Sequence, residues 1–207
     1  MSAPAVLRDV FHAYRDRAEE DDGFLFEDDQ APINRLDVLV YRPTSTVDLT
    51  SFATIGMAAQ QMPAKPRPGG AARAEQLSGG GARAELRLRR RGSLSRPEEH
   101  AIAVQLANLA IHPFLAGSRL SWGHMIGFGG DFPTFPGCPS VLLAGPLSDD
   151  DPDYVQTGDG PVRLINVVPI TDAERDRGRE LPPVDFARSL RESVDIFAER
   201  PDAISRG

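Results

Sequence analysis

Residues 162–174 read VRLINVVPITDAE, and this run decides the fold. Its first nine residues are mostly apolar and rich in β-branched side chains, as a strand buried on both faces requires. Thr171 and Glu174 then form a capping box. The Thr hydroxyl and the Glu carboxylate reciprocally satisfy the first free N–H groups of a helix. A buried strand feeding directly into a charged helix implies a sheet with helices laid on it.

Working outward, SVLLAG (140–145) is a second short buried strand, and LDVLVY (36–41) and VDLTSFATI (47–55) form a pair turning at Pro43 and Thr44. RAELRLRRR (83–91) alternates. Ala84, Leu86 and Leu88 point one way, with Arg83, Glu85, Arg87 and Arg89 on the other, which predicts a half-buried strand with a basic outer face. Ser95-Arg96-Pro97-Glu98 is another capping box, opening a helix that buries Ile102, Leu106, Leu109 and Ala110 and stops near Pro113. Val6, Leu7, Val10, Phe11 and Tyr14 recur at helical spacing near the start. Phe186, Leu190, Val194 and Phe197 predict a C-terminal helix ending before Pro201. The acidic run 19–29, EEDDGFLFEDD, reads as a solvated connection, and the Pro- and Gly-rich 60–82 as a flexible loop. The expected fold class is α/β of the α+β kind: a mixed, largely antiparallel β-sheet with helices packed on it.

At 207 residues the chain suits one substantial core. A net charge of −7 argues against a nucleic-acid binder, which would carry a basic footprint, and permits a basic protein partner. The single Cys fits a reducing compartment, no apolar run approaches membrane-spanning length, and the N-terminus does not read as a signal peptide, so a cytoplasmic location is expected. Lys65 is the only lysine among 23 basic residues, a bias expected of a GC-rich genome.

The stretch that invites chemistry is SWGHMIGFGGDFPTFPGC (121–138), which holds the only Trp and the only Cys. A hydrolytic or small-molecule enzyme using His124, with Asp131 or Cys138 in support, is the alternative it raises. No G-x-S-x-G elbow accompanies it, and Cys138 precedes an apolar strand, where a small buried thiol is the ordinary expectation. His12, His100, His112 and His124 lack the spacing of zinc ligands. Asp149-Asp150-Asp151-Pro152-Asp153 lacks the Gly and Glu of a calcium loop and reads as a solvated acidic turn. Gly127, Gly129 and Gly130 make no dinucleotide fingerprint. No catalytic residue, metal or cofactor is therefore assigned. Trp122, Phe128, Phe132 and Phe135 either roof the sheet, with His124 held by backbone, or form a binding rim. If the stretch has a function it is a protein contact through Trp122, His124, Phe128, Asp131 and Phe132.

Several segments, taken in order, resemble the suppressor of fused family. They are Ala53-Thr54-Ile55-Gly56-Met57-Ala58 with Gln61-Met62-Pro63, Arg83-Ala84-Glu85-Leu86, Leu106-Ala107-x-Leu109-Ala110 ending at Pro113, Ser121-Trp122-Gly123-His124, Val141-Leu142-Leu143, and Val168-Pro169-Ile170-Thr171-x-Ala173-Glu174. The resemblance runs from about 37 to 190 and implies one domain over 1–207 that acts by binding proteins, without established catalytic activity. In animals, members hold a Hedgehog-pathway transcription factor inactive, aided by a further C-terminal domain for which this chain has no room. Small bacterial relatives are proposed to be immunity proteins against secreted toxins. An acidic chain would suit a basic toxin domain.

Overall fold

Eight strands share one sheet in the computed structural model, which describes residues 4–63 and 82–200. Most of the loop expected over 60–82, residues 64–81, lies outside the described residues. In chain order the elements are α1 (Ala5–Arg15), β1 (Asp22–Glu27), β2 (Arg35–Tyr41), β3 (Leu49–Ile55), a 3-10 turn (Met57–Ala59), β4 (Arg83–Arg91), α2 (Arg96–Leu115), β5 (Met125–Gly127), β6 (Ser140–Ala144), β7 (Tyr154–Val155), β8 (Val162–Ile170), α3 (Asp172–Gly178) and α4 (Pro183–Ser193). The sheet order is β1-β2-β3-β4-β8-β6-β5, with β7 beside β8. Every pairing is antiparallel except β4–β8. The expected fold class is therefore the observed one.

Period-two alternation sends each strand's side chains to two different cores. Val38, Val40, Leu86, Leu88, Ile165 and Val167 meet Ile102, Leu106 and Ala110 of α2 on one face. On the other, Leu39, Ala53, Ile55, Val162 and Leu164 pack under Val6, Val10 and Tyr14 of α1. Further along that second face, Leu142, Ala144, Val168 and Ile170 are covered by Phe186 and Leu190 of α4 and by Ile196. Both capping boxes form: Ser95 with Glu98 at α2, and Thr171 with Glu174 at α3.

Three expectations need correction. The acidic run 19–29 contains edge strand β1, because Phe24 and Phe26 turn inward on alternate positions, stacking on His100 of α2. Arg96 lies over Phe24, and the first turn of α2 is bound to β2 by Arg42, which grips the buried Glu99 through two bonds of 2.8 Å. Strand β4 has no solvated outer face, since β3 and β8 flank it and α1 lies over it, burying Glu85 and Arg87. α2 stops near Pro113 as expected, at Leu115: near a helix end the missing N–H costs one bond, and Ala116 still donates to the His112 carbonyl. The last helix stops at Ser193, and Val194 and Ile196 pack from the segment beyond it, which turns at 195–198.

Candidate functional site

Residues 121–138 join α2 to β6, and main-chain bonds fix their path. Gly123 N donates to the Leu143 carbonyl at 2.7 Å, and Leu143 N donates to the His124 carbonyl at 2.8 Å. Gly123 has φ +86° and a Cβ there would lie 2.5 Å from Pro183 Cβ, so only glycine fits the corner. The half-buried Trp122 donates from Nε1 to the Leu164 carbonyl at 3.1 Å and rests against Tyr154, with Arg163 above its ring at 5.2 Å. Arg163 Nη1 also donates to Ser121 Oγ. Ser121 thus accepts from a cation, an arrangement opposite to one that activates a nucleophile.

Met125–Gly127 is strand β5, the far edge of the sheet, within what the sequence presents as a loop. Beyond it Phe128, Phe132 and Phe135 stack edge to face at 5.8 and 6.1 Å. Phe132 is 1% exposed, packed in the same core as Val141, Leu143, Ile165 and Val167. Placing Phe132 on a contact rim is therefore corrected: the ring is inside. Phe128 is half-buried, and His124 and Asp131 are exposed.

The three candidates for chemistry do not converge. Asp131 Oδ2 accepts from Gly137 N at 2.8 Å, closing its own loop. It reaches the rim of a cleft of about 540 Å³ shared with Thr171, Arg177 and Arg200, which neither His124 nor Cys138 lines. Cys138 is fully buried, and that burial pushes its thiol up to about 11, away from the reactive thiolate. His124 is held through its main chain at the corner while the residue itself is exposed, so burial of the side chain against backbone is not observed. Among the described residues, no group of three His, Cys, Asp or Glu side chains is placed to hold a metal ion, and no helix is long and apolar enough to cross a membrane.

The most organised polar chemistry lies elsewhere, under α1. Asp151 is 8% exposed, which corrects the expectation of a wholly solvated turn over 149–153. Its Oδ1 is 3.0 Å from Arg87 Nη1 and 2.6 Å from Arg89 Nη2, while Oδ2 accepts from Leu147 N and Asn166 Nδ2. Burial alone would raise this carboxyl, but Arg87, the Leu147 N–H and Arg89 outweigh it and hold the group below its ordinary value. On the same strand as Arg87, Glu85 is fully buried and accepts from Thr54 Oγ1 at 2.6 Å and from Gly56 N and Ala58 N, both at 2.9 Å. Desolvation prevails over these bonds, and Glu85 stands at about 7. Gly56 has φ +141°, and a Cβ would sit 2.5 Å from the Arg35 carbonyl oxygen. The sequence signal for this seam was alternating charge on a strand with neighbours on both sides, a placement only the sheet order reveals.

The segments 53–58 and 83–86 thus form one unit, a turn clasped by Glu85. A family model described as suppressor of fused protein (SUFU) matches residues 33–197. The chain belongs to the suppressor of fused family. Solved structures agree on the suppressor of fused fold. Drosophila Suppressor of Fused superposes with TM-score 0.63 at 14% identity, over 96% of this chain and 49% of the Drosophila one. This chain therefore spans about half of that protein's length. A chain of the Sufu-Fu complex gives 0.62 at 13% identity, covering 96% of this chain and 89% of that one. A putative SUFU homolog from Neisseria gonorrhoeae FA 1090 gives 0.60 at 14% identity, covering 93% and 90%. No curated protein matches the chain.

Proposed function

We propose that the chain is a non-enzymatic, cytoplasmic protein-binding domain, folding as one unit, that acts as an immunity protein against a bacterial toxin. The carrying observation is the family match over 33–197, together with a structural relative solved in the Sufu-Fu complex. The net charge of −7 supports a basic toxin domain as the partner. The contact surface is the outer side of 121–138, where His124 and Asp131 are exposed and Phe128 is half-buried over the fully buried Phe132. Trp122 supports it by fixing the corner. The enzyme alternative finds less support, since His124, Asp131 and Cys138 do not share a cleft and the thiol is buried.

The test is capture of partners by the tagged full chain from its native organism at low salt, against a Phe128→Ala/Asp131→Arg double variant. The expected result is a basic protein retained by the parent, released by salt, and lost from the variant. Retention of no protein, or equal retention by the variant, would overturn the assignment. A large toxin-like gene immediately upstream would support it independently.

A further inference from the structure

The second face of the sheet leaves a cleft of about 380 Å³ between the end of α1 and the β2–β3 hairpin. Within the range of small-molecule sites, it has a composed interior. Tyr14, Tyr41 and Arg87 all line it, and in each a polar atom is buried without a hydrogen-bond partner: the two phenol oxygens and Arg87 Nε. Tyr14 and Arg87 are themselves 7% and 9% exposed. Orphaned buried donors cost stability, so three in one cleft need an explanation.

Their chemistry specifies the missing group. Arg87 Nε can only donate, so it requires an acceptor. Burial raises both phenols, Tyr14 well above its ordinary value and Tyr41 to about 12, so both keep their protons to donate. Arg87 and Tyr41 lie close enough to Tyr14 to act on its ionisation, as does the Glu85 carboxyl. The remaining guanidinium atoms of Arg87 face Asp151 and the Pro152 carbonyl. Arg87 and Arg89 together share the one Asp151 charge, leaving a single net positive charge at the floor below about pH 7, where Glu85 keeps its proton. A dianion would have to draw its second counter-charge from the rim, where Arg42 is already committed to Glu99 and Asp22 and Arg17 is outnumbered by Glu19 and Asp21. Ala18, Val47 and Leu49 give the outer wall an apolar strip, beside the polar Arg17, Glu19, Asp21 and Thr44.

We propose that this cleft binds a small organic monocarboxylate with an apolar body, its carboxylate received by Tyr14, Tyr41 and Arg87. The site is on the face opposite α2 and is independent of the protein-binding assignment.

The experiment titrates the full chain with benzoate, benzamide and inorganic phosphate, read by calorimetry and by the Arg Nε–H signals in nitrogen-15 NMR. Benzoate is expected to bind saturably and shift the Arg87 signal, with benzamide and phosphate at least about tenfold weaker. Tyr14→Phe removes one donor and keeps the ring, so it should weaken benzoate by about tenfold while leaving the thermal midpoint unchanged or higher. If Tyr14→Phe does not fold, Tyr41→Phe provides the same comparison. No saturable benzoate binding, equal affinity for benzamide, or a folded Tyr→Phe variant that binds as well as the parent overturns the proposal.

Discussion

Glu85 accepts a hydrogen bond from the main-chain N–H of Gly56 at 2.9 Å, with no water-exposed surface on the carboxylate's own residue. One strand thereby holds the turn that follows its neighbour, and the bond depends on a carboxyl group buried in the sheet.

That burial predicts a pH dependence. Glu85 stands at about 7 in the folded chain against an ordinary 4.5. The folded state keeps a proton that the unfolded chain has released, so the associated stability is full below about pH 4.5 and is lost as pH rises through 7. The size is on the order of 3 kcal/mol. Urea unfolding from pH 5 to 8 should show the decline, and Glu85→Gln should flatten it; an unchanged slope in the variant would remove Glu85 as its source.

Gly56→Ala should destabilise the chain by at least about 2 kcal/mol, because both its φ and two backbone atoms of 35–36 oppose a Cβ. Gly92→Ala is the control: φ is +77° with nothing within 4 Å, so it should lose only about 1 kcal/mol. Equal losses at the two positions would mean that crowding at Gly56 contributes nothing.

Asp151→Ala leaves Arg87 and Arg89 facing a buried space and strips an acceptor from Leu147 N. A loss of about 3 kcal/mol is expected, with little sensitivity to salt, since the pair is shielded from solvent. Thermal melts at low and high ionic strength measure both points, and a loss that salt abolishes would place the pair at the surface instead.

Cys138 should resist thiol reagents in the native chain and react at the rate of unfolding, because it is buried and its thiol stands at about 11. Stopped labelling in increasing urea reads this directly. Rapid modification without denaturant would reopen the enzyme alternative.

The sequence disclosed what local physics controls. Alternation revealed β4, the capping boxes placed the starts of α2 and α3, and the apolar run 162–170 was β8 to the residue. It misread features that depend on which strands are neighbours. Glu85 and Arg87 look solvated on an isolated strand and become interior because β3 and β8 flank it and α1 lies over that face. Asp151 sits in a run of identical acids, and nothing local distinguishes it from Asp150; two arginines more than sixty positions away do. Phe24 and Phe26 were masked by the carboxylates around them. At 121–138 the packing of Trp122 was legible from ring chemistry, whereas the depth of Phe132 required the fold.

The parallel pairing of β4 against β8, the only one between strands among the described residues, also has a kinetic meaning. On one side of it lies a meander, β1 to β4, whose strands pair with sequence neighbours; on the other, β8, β6 and β5 come from the distal part of the chain. Joining the two requires closing a long loop, and such contacts form late. The meander is thus predicted to nucleate assembly, with β8 docking last. Pulsed hydrogen exchange during refolding should protect amides of β2 and β3 before those of β6, and the reverse order would sink this sequence of events.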